Sequence, residues 1–182
     1  MSATETTVAT WNIDAIHSTA EFAVRHMMVA TAKGRFGSLE GSIKVNESDP
    51  SASSVTATID VGTIDTNDPN RDTHLRSDDF FNAEQFPTIT FQSKRVDVED
   101  ANNWHVVGDL TIRDVTREVV LDTEYLGQVQ DFQGQQRAGF TAETRLSRKE
   151  FGLKWNAALE SGGVAVGDQV RVTLHIEAIR QD

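Results

Sequence analysis

The chain contains no cysteine. That absence excludes a disulfide framework, a Cys-ligated zinc site, an iron–sulfur cluster and a thiol nucleophile. Proline is scarce at three residues and glycine modest at 12 in 182, which argues against a low-complexity or disordered chain. Basic charge is also short: 17 Lys and Arg against 28 Asp and Glu leave a formal net charge of -11. A field of that sign repels phosphate backbones and anionic lipid surfaces, so no nucleic-acid partner is expected. No apolar run approaches the roughly 20 residues of a transmembrane helix, so stable membrane insertion is not expected either. The opening MSATETTVAT has neither a basic n-region nor an apolar h-region. The expectation is a cytoplasmic protein, periplasmic or secreted if a leader has been removed. Residues 1–8 read as a disordered tail and 9–182 as a single domain.

What the chain does have is alternation with a period of two. Val170, Val172, Leu174, Ile176 and Ala178 alternate with Gln169, Arg171, Thr173, His175 and Glu177. That is the pattern of a strand with one apolar and one wet face. The same rhythm runs through Ala138, Phe140, Ala142, Thr144, Leu146 and through Trp104, Val106, Gly108, Leu110, Ile112. It recurs at Ala20 to Val24, Gly41 to Val45, Val55 to Val61, Ile89 to Phe91 and Val119 to Tyr125. About eight strands result, joined by turn signals at Asp49-Pro50-Ser51, Asp100 to Asn103, Asp114 to Thr116 and Asp131 to Gln136. Connections this short join antiparallel neighbours. Two segments break the rhythm. Asp68-Pro69 is a good cap and first-turn pair, and predicts one short helix over about 68–80. A second break, within Phe151 to Ala165, predicts a helical turn near 155–160.

The fold class expected is therefore all-β, an eight-stranded antiparallel barrel, since closure removes the two exposed edges. A membrane barrel is excluded by charge. Glu118, Asp122, Glu124, Glu143, Arg145, Arg171 and Glu177 fall on outward parity and would have to face lipid. The apolar set points inward.

Reactive constellations are few. The five histidines, His17, His26, His74, His105 and His175, include no i, i+4 pair of the kind that places two ligands on one helix face. His105 and His175 take the polar parity of their strands and read as surface residues. Asp65 to Asn70 begins like a calcium loop, then puts proline where the third ligand belongs and lacks the distal glutamate; a capped helix start fits it better. Asp78-Asp79 reads as a solvated pair. No nucleophile elbow or phosphate loop is present. Neither a catalytic residue, nor a metal, nor a resident cofactor is expected.

Nine phenylalanines and three tryptophans dominate the apolar payload. Taken singly, each is best read as core. Collectively they face small inward residues, Ala20, Gly41, Ala57, Gly108, Ala138 and Ala142, which either fit a taper or leave a tunnel. The two readings separate on the size of the interior void, with about 300 Å³ as the dividing line.

At this point four blocks of residues carry a resemblance. Trp11-Asn12-Ile13-Asp14, His17-Ser18, Phe22, Val24-Arg25-His26 and Gly34-Arg35-Phe36 form the first. His74-Leu75-Arg76-Ser77, Asp79-Phe80-Phe81, Phe86-Pro87 and Ile89 with Phe91 form the second. Gly108 to Ile112 with Val115-Thr116-Arg117, then Gly139-Phe140, Ala142, Arg148 and Phe151-Gly152, complete the set. In this order, over roughly residues 11 to 180, the chain resembles the YceI-like family. The family usually has a glycine before the threonine of the third block, where this chain has Asp114-Val115.

The resemblance implies a lipocalin-like barrel whose tunnel holds a polyisoprenoid chain, an isoprenoid quinone or polyprenyl lipid, for transport or storage, without catalysis. On that basis Phe22, Val24, Phe36, Phe91, Trp104, Val106, Phe140, Ala142, Val172 and Leu174 are expected to line the tunnel. His26 and Arg76, near strand ends, are expected to meet a head group. Two alternatives stand beside it. One is a metal-dependent enzyme acting on a lipid or small acid through His17, His26 or His74. The other is a packed, stress-related structural barrel without ligand. A homodimer is compatible with the sequence, which identifies no interface.

Overall fold

The computed structural model describes residues 7–160 and 162–181. Among them the chain forms eleven strands: β1 (Val8–Ile13), β2 (Thr19–His26), β3 (Ala30–Phe36), β4 (Leu39–Asn46), β5 (Ser54–Asp60), β6 (Ile64–Asp65), β7 (Thr88–Val98), β8 (Asn103–Ile112), β9 (Val115–Gln130), β10 (Gln136–Ser147) and β11 (Val166–Gln181). One helix, α1 (Pro69–Arg76), lies between β6 and β7.

The eleven segments make eight staves, because three staves are interrupted. β1 and β2 both lie along β11, through Ile13 opposite Ala178 and Ala20 opposite Leu174. β4 and β3 lie along them in turn, and β5 and β6 along those. From β5 the order runs through β7, β8, β9 and β10 to β11, all antiparallel. The β1–β11 pairing closes the ring, so the expected eight-stranded antiparallel barrel is the fold observed.

The first interruption has a clear local cause. The Asp14 carboxylate accepts from the Ile16 backbone N–H at 3.1 Å and pairs with His17 Nδ1 at 2.8 Å, drawing the chain into a turn. Ser18 Oγ then donates to the Glu177 carbonyl and accepts the Glu177 N–H, re-docking the chain on β11. His17 and His26 therefore do not share one straight strand.

Three expectations are corrected. Helix α1 ends at Arg76, not near residue 80, because Ser77 is extended and its Oγ takes the His74 carbonyl at 2.6 Å. Its start is as expected, with Asp68 accepting from the N–H groups of Asn70 and Arg71. The helical turn expected near 155–160 is absent, and a 3₁₀ turn forms at Arg148–Phe151 instead. The reason is Arg148, whose guanidinium takes the carbonyls of Leu153 and Trp155, acceptors a helical turn would need for itself. The tail assigned to residues 1–8 falls on residues 1–6 outside the described ones, whereas Val8 already opens β1 opposite Asn46.

The core is one continuous barrel interior with two dense ends. At one end Phe80, Phe151 and Leu153 are buried, with Leu75, Phe81 and Trp155 packed against them. At the other, Trp11, Ile43, Ala138, Phe140 and Ala178 are buried beside Trp104 and Tyr125. No helix is long and apolar enough to cross a membrane among the described residues.

Candidate functional site: the apolar interior of the barrel

Period-two alternation turns one face of every stave inward, and the inward faces do not meet. Between them lies a cavity of about 240 Å³, partly open to solvent, whose wall exposes no polar surface. Its lining comes from every stave and from α1 and the 148–153 turn. Native cores seldom hold voids much larger than a water molecule, so this is not ordinary core packing.

Aromatic rings shape its two ends. Near α1, the Phe22 and Phe36 rings tilt together at 5.6 Å between centroids, and Phe36 meets Phe81 edge-on at 5.7 Å. Gly34 makes this possible, because a Cβ there would strike the Phe22 ring. His74 is also part of this end: its ring stands edge-on to Phe80 and Trp155, at 5.1 and 4.7 Å, while Nε2 pairs with Asp79 at 2.8 Å. At the far end Trp104 stacks on Tyr125 at 5.9 Å, with Phe140 tilted against both. The Trp104 indole N–H is buried there with no hydrogen-bond partner among the described residues.

All ten apolar residues expected to line a tunnel do line this cavity: Phe22, Val24, Phe36, Phe91, Trp104, Val106, Phe140, Ala142, Val172 and Leu174. His26 and Arg76 do not. His26 is exposed at the end of β2, opposite Ala30 of β3, and Arg76 turns its Nη2 to Thr73 on its own helix. Of the small inward residues, Ala20, Ala57 and Ala142 border the void. Gly41 and Gly108 are used otherwise: a Cβ on Gly41 would strike the Thr56 carbonyl oxygen, and one on Gly108 would lie 2.6 Å from Phe91 Cζ. Their absence of a side chain lets strands and rings approach.

Arg148 is the residue whose role sequence reasoning missed. It is buried, and Nε, Nη1 and Nη2 donate to the carbonyls of Gly167, Leu153, Trp155 and Val166 at 2.7 to 3.2 Å. Burial pushes its guanidinium pKa down, opposed by the nearby Asp168 carboxylate. Arg148 thereby ties the 148–155 segment to the start of β11 at the edge of the cavity. Only its place in a matched block marked it in the sequence.

The polar clusters lie elsewhere. Asp14, His17 and Glu177 bring three metal-ligand atoms within 4.8 Å, at the β1–β2 interruption. Arg137 already occupies that carboxylate, with Nη1 at 2.8 Å from Asp14 Oδ2 and Nε at 2.8 Å from Asp131. The hydrogen bond from His17, aided by the Arg137 bond and opposed by burial, holds the Asp14 carboxyl down at about 2. The same partner raises His17. A metal ion would have to displace a guanidinium that serves the ion's electrostatic role. His105 is bracketed by Asp122 and Glu99 on the outer wall, and His175 by Glu21. The structure does not bring His17, His26 and His74 into one site; each belongs to a different element, and His17 and His74 have their own carboxylate partners.

Comparison with known proteins agrees with this architecture. The model of the YceI-like domain matches residues 11–178. The chain belongs to the YceI-like family. A UPF0312 protein of Staphylococcus epidermidis is 38% identical over 162 residues, covering 88% of this chain and 92% of that protein. The crystal structure of Burkholderia cenocepacia BcnA superposes with a TM-score of 0.79 at 21% identity, over 91% of this chain and 98% of that one. A polyisoprenoid-binding domain from Saccharophagus degradans, implicated in plant cell wall breakdown, superposes at 0.66 with 16% identity, over 94% and 98%. These two show the fold this YceI-like chain shares.

Proposed function

We propose that this YceI-like barrel holds the apolar tail of a long isoprenoid lipid, an isoprenoid quinone or polyprenyl derivative, as a carrier or store and not as a catalyst. The observation that carries the reading is the apolar-walled cavity. At about 24 cal/mol per Å³, a rigid void of about 240 Å³ costs about 6 kcal/mol. That is comparable with the whole stability of an ordinary domain, about 5 to 15 kcal/mol. An apolar occupant returns much of this cost, and water does not, since a wall that exposes no polar surface offers it few partners. The volume of about 240 Å³ lies below the dividing line of about 300 Å³, on the side expected of a packed barrel, and leaves no room for a bulky ring system. A narrow space bordered by every stave suits a linear chain instead. The polyisoprenoid-binding domain of S. degradans, alike in fold, lends the chemical class.

Energetics favour a carrier. Each buried CH₂ gains about 0.8 kcal/mol on leaving water, and a cavity of about 240 Å³ encloses only a segment of a long tail. The relevant reference is a membrane, where the tail is already dry, so transfer sits near balance and tunnel shape selects the ligand. The test is organic extraction of the purified wild-type protein followed by mass spectrometry. A co-purifying polyisoprenoid is the expected result. A clean extract from protein that also fails to take up added isoprenoid quinone would refute the proposal.

A further inference from the structure

The β2–β3 hairpin tip combines three features that a merely structural turn would not have. Its residues Met27, Met28 and Val29 are all exposed, Val29 to 84% and Met28 to 53%. Met27 and Met28 both adopt positive φ, 53° and 65°, in a turn closed by the Val29 N–H on the His26 carbonyl. Asn and Gly normally supply that conformation, and unbranched thioethers gain nothing locally from it. The tip is also anchored and extended: Met27 N–H donates to the Ala165 carbonyl at 2.8 Å, and Met28 lies over Gly163, beside exposed Val164. From here the apolar surface runs inward, since Val24 and Val166, two or three residues away, line the cavity.

The outer wall beside this tip reverses the sign of the protein. Lys33, Ala23, Arg171 and Arg145 stand in one cross-strand row over β3, β2, β11 and β10. Arg25 is two residues nearer the tip. All four cations are exposed, and none has an ion-pair partner among the described residues. Arg145 and Arg171 are directly opposite one another, an arrangement that repels. The acids Glu21 and Glu143 occupy the next row, on the side away from the tip. In a chain of net charge -11, four exposed cations without an ion-pair partner among the described residues thus stand beside an apolar point.

We infer that the Met27–Val29 tip, with Val164 and the Arg25, Lys33, Arg145 and Arg171 wall, docks on an anionic lipid bilayer. The apolar tip enters the head-group layer while the cations meet phosphate, and the overall negative charge keeps the contact brief. The cation row lies about four residues, roughly 13 Å, from the tip along strands that tilt, within reach of long side chains and the surface field. This goes beyond the lipid-holding reading: a barrel that carries lipid need not dock by this edge, and docking does not require an occupied cavity.

The test is flotation of the full chain at low ionic strength with vesicles of phosphatidylglycerol and phosphatidylcholine, against phosphatidylcholine alone. Wild type should float with the anionic vesicles and be released by salt. The double variant Met27→Asn, Met28→Gly should bind at least tenfold more weakly yet melt no lower than wild type, because its turn residues suit positive φ. Arg145→Gln and Arg171→Gln should each weaken binding about fivefold at low salt. Lipid extracted from these variants should match wild type, which separates failure of docking from failure of the cavity reading. The inference is overturned if wild type ignores anionic vesicles or if the methionine variant floats unchanged. It is equally overturned if that variant instead abolishes a dimer seen by gel filtration, which would assign the tip to a second copy of the chain.

Discussion

Emptying the barrel is the perturbation with the largest expected effect. If side chains hold their places, the void of about 240 Å³ costs about 6 kcal/mol. A chain of this length moves its melting temperature by about 2 to 4 °C per kcal/mol. Protein stripped of lipid should therefore melt as much as about 12 to 24 °C below the same protein reloaded with isoprenoid quinone. Inward movement of the part-buried Phe22, Leu75 and Phe81 would return some of this, so the lower end is the better expectation. The control is Ala142→Trp. Ala142 is 4% exposed and borders the cavity between Phe140 and Thr144 of β10. An indole there fills the void from within at an overpacking cost of about 1 to 3 kcal/mol. It should block lipid uptake, keep the protein soluble, and bring stripped and reloaded samples together in differential scanning calorimetry. Two outcomes would refute the reasoning: wild type melting within about 2 °C whether stripped or loaded, or Ala142→Trp retaining the full wild-type difference.

Other expectations follow from single residues. Arg148→Met leaves four backbone carbonyls without their donor and should cost about 2 to 4 kcal/mol in urea unfolding; Arg148→Lys should recover only a fraction, lacking the planar fork. Asp14, held at about 2 against an ordinary 3.8, contributes stability that is present above pH 4 and lost as pH falls through 2. The loss should reach no more than about 2 kcal/mol, and Asp14→Asn should remove that acid-side slope. His17, raised by the same contact, acts in the opposite sense: its contribution is full below its ordinary 6.5 and fades as pH rises through the raised value. Gly34→Ala puts a Cβ into the Phe22 ring, and should lower stability by about 1 to 3 kcal/mol while reducing lipid uptake.

The sequence made the inward face of the barrel legible in detail. Phe22, Phe36, Phe91, Trp104 and Phe140 all line the cavity, because parity along a strand is a local property that side-chain chemistry records directly. The start of α1 was equally plain, since capping by Asp68 uses bonds two and three residues away. Its end was not, because Phe80 and Phe81 leave the helix to pack against staves remote in sequence. The expectation for His26 and Arg76 rests on their position near strand ends and within the matched blocks, which says nothing of side-chain direction. Their outward setting depends on the hairpin turn and on α1's orientation.

By itself, then, the sequence determined fold class, strand parity and the exclusion of thiol and iron–sulfur cluster chemistry. Those are properties of composition and of period, readable from neighbours along the chain. The tertiary structure decided what parity cannot reach. It set how three staves are broken, whether opposed inward residues touch or leave a void, and how Arg148 finds Gly167 and Val166 on the neighbouring stave. It also set which end gathers Lys33, Arg171 and Arg145 into one row. Each of these rests on register between strands tens of residues apart, and register is an agreement among all the staves at once that no single stretch of sequence contains.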